Sequence, residues 1–185
     1  PPMPNTGTAA AAEETVVDLR EPQRPVRLRS ESGRPGLSMV YGGGGAVGIA
    51  WHVAVIAALR DAGLPVREAP SIGTSAGSWA CGAARLGLGF EEFARFGELN
   101  LPDRRPGLLA GMAREIFGAT RADDVRVSVT ALPTMRRHLL DARRHDLAAP
   151  TAASSAAPGV FAPHQSAGTQ YVDGGVRSMA SADTA

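Results

Sequence analysis

Three groups of residues combine types and spacings suited to chemistry: Gly43-Gly44-Gly45-Ala46-Val47-Gly48, Gly73-Thr74-Ser75-Ala76-Gly77 and Asp173-Gly174-Gly175. A serine hydroxyl attacks a carbonyl only when a base takes its proton and fixed donors hold the oxyanion that forms. Ser75 lies in Gly-x-Ser-x-Gly, between a short apolar run and a helical pattern. That is the setting of a nucleophile elbow, where Gly73 and Gly77 permit a turn too tight for side chains. In a chain with 22 glycines the pentapeptide alone is as readily an ordinary N-cap serine. The other two groups are what raise it above that.

The glycine loop has two uses. Gly43-x-Gly45-x-x-Gly48 after a strand and before a helix fits a dinucleotide fingerprint, with Glu68 as the acid that would meet a ribose. The same amides, free of Cβ obstruction and backed by a helix N-terminus, suit an oxyanion hole. Only the second use goes with the Gly-x-Ser-x-Gly and Asp-Gly-Gly groups. Of the four histidines, His52 falls on the helix after the glycine loop, and His138 and His145 lie in polar, arginine-rich surroundings. His164 alone is placed where a triad histidine would come, and none has a motif around it. Asp173 ends a strand-like run and is followed by two glycines, so a Ser–Asp dyad needs no histidine.

The elements that must position these groups follow from periodicity. Residues 37–41 form a short apolar strand, and 46–62 carry a helical pattern that stops at Gly63. Residues 64–69 are expected as a second strand and 75–88 as a helix. Further helices are expected over 91–99 and 107–117. Residues 125–132 alternate apolar and polar and read as the clearest strand, with 135–140 as its neighbour. Residues 146–156 are rich in alanine, and Thr169-Gln170-Tyr171-Val172-Asp173 reads as a last strand opening into a tight turn. Strands alternating with helices imply an α/β layer fold with a largely parallel sheet. Residues 1–36, which hold six prolines and no sustained apolar period, read as a tail, with a short helix over 9–19. Residues 37–185 form the domain.

Composition removes several classes of function. The chain has 185 residues, enough for one domain, and 44% apolar content supplies a core. All 19 basic residues are arginine, scattered and without interleaved aromatics, so no nucleic-acid surface is expected. The single cysteine, Cys81, excludes an intrachain disulfide framework and reads as a small buried residue in a reducing compartment. Neither a membrane span nor a signal peptide is seen, and a cytoplasmic location is expected.

"GGGGAVG", "GTSAG" and "DGG", in that order, together with "AASSAAPGVFAPHQSAGTQYVDGG", resemble the patatin-like phospholipase family. The resemblance runs from about Leu37 to the end of the chain. It implies a three-layer α/β/α fold with a mostly parallel central sheet, shortened at its C-terminus because the family continues further past Asp-Gly-Gly. It also implies hydrolysis of lipid acyl esters at a transient membrane or micelle surface, with no metal and no organic cofactor. By motif, Ser75 would be the nucleophile, Asp173 the base, and the amides of Gly43, Gly44 and Gly45 the oxyanion hole. Val47 departs from the pattern, standing where the family usually has arginine or lysine, which bears on the choice of substrate. Two alternatives remain at this level: an inactive lipid-binding or interaction module, and a dinucleotide-binding domain. Head group, chain length and oligomeric state have no signal in the sequence.

Overall fold

A computed structural model describes residues 36–185. The expected tail, Gly36 apart, and the helix expected over 9–19 lie outside the described residues. The strand β1 (Met39–Tyr41) passes through the glycine loop into helix α1 (Gly45–Asp61). Ile49, Val53 and Ile56 of α1 are buried at helical spacing, each contributing about 1.5–3 kcal/mol of apolar burial. Its outward face is also apolar, with Val47 81% and Trp51 62% exposed one turn apart.

The strand expected over 64–69 is absent. Pro65 has no amide to donate to a ladder, and the stretch closes into turns, with Val66 N–H on Leu64 O and Ala69 N–H on Pro65 O. The strand begins later, as β2 (Ser71–Thr74), and is only four residues long. Helix α2 (Ala76–Leu86) follows, and every residue from Ala76 to Ala84 is buried. Its small residues allow this. A Cβ on Gly77 would run into the Tyr41 carbonyl, so only glycine lets α2 lie this close to β1. Trp79 anchors the same helix in a cluster with Phe93, Phe96 and Phe117.

The pattern over 91–99 forms a 3-10 helix, Glu91–Glu98, rather than an α-helix; Phe93 is its one buried residue. Helix α3 (Leu108–Phe117) and strands β3 (Val125–Leu132) and β4 (Arg136–Asp141) form where expected, and the alanine-rich stretch forms helix α4 (Ala148–Ser154). Strand β5 (His164–Ser166) was not legible in the sequence. It pairs with β6 (Thr169–Asp173) as a hairpin.

The sheet runs β1-β2-β3-β6-β5, with β4 also on β3. The β1–β2 and β2–β3 ladders are parallel, and the ladders of β4, β5 and β6 are antiparallel. The sheet is therefore mixed, and its parallel part is the half that carries the glycine loop and the serine turn. On β3 the alternation sorts the faces: Val127, Val129 and Ala131 pack with Ala153 of α4, while Ser128 and Thr130 point the other way. There Ser128 meets Ser181 of the segment following β6. Buried Arg137 on β4 ties that segment down through a two-armed ion pair with Asp183.

Candidate active site

Strand β3 has two edges, and β4 occupies one of them over Arg126–Ala131. The other edge is shared end to end. Strand β2 pairs with Val125–Ser128 and β6, running the opposite way, with Val129–Leu132. Their C-terminal ends therefore abut, with Thr74 opposite Ser128 and Asp173 opposite Val129. Two motifs almost a hundred residues apart in sequence meet because two antiparallel strands end at one point on a third.

Ser75 is the first residue beyond β2, with φ 54° and ψ −121°. A side-chain-bearing residue pays strain for a positive φ, and here that conformation aims the hydroxyl out of the chain path. Ser75 Oγ donates to Asp173 Oδ2 at 2.6 Å. The other carboxylate oxygen, Oδ1, accepts the Gly175 N–H at 2.7 Å, so the carboxylate is held on its own tight turn. A Cβ on Gly174 would collide with the Ser128 carbonyl, which is why this turn can close against β3 only with glycine there. Asp173 is 7% exposed, and burial raises its pKa above the usual aspartate range against the opposing pull of its bonds to Ser75 and Gly175. A short bond from a hydroxyl to a buried, poorly solvated carboxylate is an arrangement that can take a proton from serine.

A family model of the patatin-like phospholipases matches residues 39–185. The chain belongs to that family. A search of curated proteins found no match.

Around the Ser75–Asp173 pair of this patatin-like domain, the glycine loop divides by hydrogen bonding. Gly43 N–H already donates to the Met179 carbonyl at 2.7 Å, and the Met179 thioether lies over Gly43 and Gly175. Gly44 and Gly45 lead into the first turn of α1, exposed to solvent, where amides of a helix N-terminus lack intrahelical acceptors. Gly48 packs against Ala76, bringing α1 onto α2 beside the elbow. Gly73 and Gly77 sit back to back, each close enough to leave no room for a Cβ on Gly73.

Other residues singled out by the sequence lie elsewhere. Glu68 is exposed on the turn before β2, not at the end of a second strand as a ribose-binding acid would be. His52 is buried on α1, edge-on to Tyr41 and Trp51, and burial lowers its pKa against the opposing pull of the Gly48 backbone. His164, on β5, is half-buried with a lowered pKa from the same cause, and His138 is half-buried against Tyr171 rather than solvated. Neither Ser75 nor Asp173 is bonded to any of them. Cys81 is fully buried, and burial pushes its thiol up to about 12, so it stays protonated and unreactive. Among the described residues no group of three or more His, Cys, Asp or Glu is placed to hold a metal ion, and no helix is long and apolar enough to cross a membrane.

Sequence reasoning did not single out Ser154, Ser128 or Met179, although the quoted "AASSAAPGVF" contains the first. Ser154 Oγ accepts the Ser75 N–H at 2.8 Å and donates to the Ser128 carbonyl at 2.7 Å. A pair of adjacent serines in an alanine-rich helix was the available signal, since a buried hydroxyl requires a partner.

Proposed function

We propose that this chain is a serine acyl hydrolase of the lipase or phospholipase A type, acting on lipid acyl esters through Ser75 and Asp173. The observation that carries the reading is the 2.6 Å bond from Ser75 Oγ to the buried Asp173 carboxylate. Asp173 takes the hydroxyl proton as Ser75 Oγ bonds to the ester carbonyl carbon, and the carbonyl oxygen becomes an oxyanion. The amides of Gly44 and Gly45 are the donors for that oxyanion, and Gly43 joins them if Met179 releases its N–H. Collapse of the tetrahedral species expels the alcohol or lysolipid, which recovers the proton from Asp173. Water then attacks the acyl-enzyme, passing one proton to Asp173. The second collapse frees the carboxylic acid and returns that proton to Ser75.

Val47 and Trp51 beside the glycine loop support a lipid as substrate, because an uncharged rim meets acyl chains without desolvating a charge. The same rim suits transient contact with a micelle or membrane surface. The test is fluorophosphonate labelling of the wild type, Ser75→Ala and Asp173→Asn. Labelling is expected in the wild type, absent in Ser75→Ala and strongly reduced in Asp173→Asn. A folded wild type that does not label would overturn the proposal.

A further inference from the structure

The Ser75 amide lies just beyond the last paired residue of β2, Thr74, where the ladder with β3 ends. Something else must satisfy it, since an unpaired N–H at a mostly buried site costs about 1–3 kcal/mol. Ser154, the last residue of α4 and fully buried, supplies the acceptor. Its single hydroxyl proton is committed to the Ser128 carbonyl, so its lone pairs face Ser75. Ser128 lies opposite Thr74, where β2 ends. Ser154 thus continues the edge of β3 by one side chain and gives the elbow the partner that a strand residue would have had. On its other side, Ser75 O accepts both the amide and the hydroxyl of Ser78. Two residues beyond Ser154, the Ala156 carbonyl accepts the Asp173 N–H at 3.0 Å.

We infer that Ser154 is a positioning residue for the hydrolytic dyad, holding the strained Ser75 elbow so that Oγ reaches Asp173. The inference rests on the reading of Ser75 as nucleophile. Without the acceptor the elbow relaxes toward an unstrained φ, and Oγ moves away from the carboxylate. A misplacement on the order of 1 Å costs roughly 100-fold in rate at such a site. The bond from Ser75 is also one of the two interactions that lower the Asp173 pKa, so losing it leaves burial less opposed.

The test compares Ser154→Ala with Ser155→Ala. Ser155 is the adjacent buried serine, whose hydroxyl accepts from Trp79 Nε1 at 2.8 Å and touches neither member of the dyad. The readouts are the second-order rate constant of fluorophosphonate labelling, its pH profile and the thermal midpoint. Ser154→Ala is expected to label roughly 10- to 100-fold more slowly, with the acid limb of its profile moved to higher pH. Ser155→Ala is expected to lower the thermal midpoint and label at the wild-type rate. If Ser154→Ala does not fold, Ser154→Cys decides, because a thiol nearly fills the space but is a weak acceptor; slow labelling supports the inference. Wild-type rate and profile in a folded Ser154 variant would overturn it, as would a loss matching that of Ser155→Ala. A folded wild type that fails to label overturns the nucleophile reading and this inference together. A labelled wild type beside an unaffected Ser154→Ala overturns this inference alone.

Discussion

At the scale of single residues, Asp173 carries two opposed demands. In the proposed role of base its carboxylate must be charged to accept a proton from Ser75, yet burial works against that charge. Because the pKa is raised, that anion disappears on acidification at a higher pH than for an exposed aspartate. Ester hydrolysis should therefore fall with an acid-limb midpoint above the usual aspartate range, read from a kcat/KM–pH profile. The stability linkage has the opposite sign to the usual carboxylate case: a folded-state pKa above the unfolded one costs stability at neutral pH and returns it as pH falls through the folded value. Asp173→Asn should accordingly abolish nearly all activity while leaving the thermal midpoint unchanged or higher. Ser75 shows the same conflict in its backbone. Ser75→Gly should be as inactive as Ser75→Ala but more stable than it by about 1 kcal/mol in denaturant unfolding, since glycine relieves the positive φ.

Elements hold these residues by close approach more than by bulk. The short β2 and the small-residue helix α2 bring the elbow against β1 only because Gly77 has no side chain where the Tyr41 carbonyl sits. Gly77→Ala should destabilise the domain by about 3 kcal/mol, at the upper end of overpacking costs, and slow labelling by displacing the elbow. Gly111 is the contrasting case. It lies exposed within α3 with open space where a Cβ would be, so Gly111→Ala should raise stability by roughly 0.5–1 kcal/mol and leave labelling alone. Equilibrium urea unfolding of the pair separates packing constraint from helix propensity. The positions of α1, α2, α3, β3, β4 and β6 were legible because their apolar periods extend over several residues. The stretch 64–69 misled because Pro65 has no amide to donate to a ladder, and β5 was invisible because its three residues have no period to read.

Across the whole domain, the site depends on segments distant in sequence. Strand β4 and the segment after β6 are locked by Arg137 and Asp183, and that segment carries Met179 onto the glycine loop. Arg137 holds the Asp183 carboxyl below the usual aspartate range, so its contribution to stability is present at neutral pH and lost as pH falls through that lowered value. Asp183→Asn should lower the thermal midpoint by a few degrees at pH 7, the gap to wild type closing in acid. Differential scanning calorimetry across pH checks both parts. Because buried Arg137 then lacks its partner, the variant should also loosen the Met179 contact and change the labelling rate.

By itself the sequence determined the family, the order of most elements and the three motifs, because glycines beside a serine or an aspartate mark sharp turns through local backbone freedom. It also identified Ser75 and Asp173 as candidates, since few other side chains stand in such turns. Tertiary structure decided what those residues meet. That β2 and β6 end against each other on one edge of β3 is a matter of strand order and register, which local pattern does not encode. The same register brings Ser154 to the Ser75 amide and Met179 to Gly43. Hydrogen bonds between residues this far apart depend on how the sheet closes, and no short stretch of chain contains that.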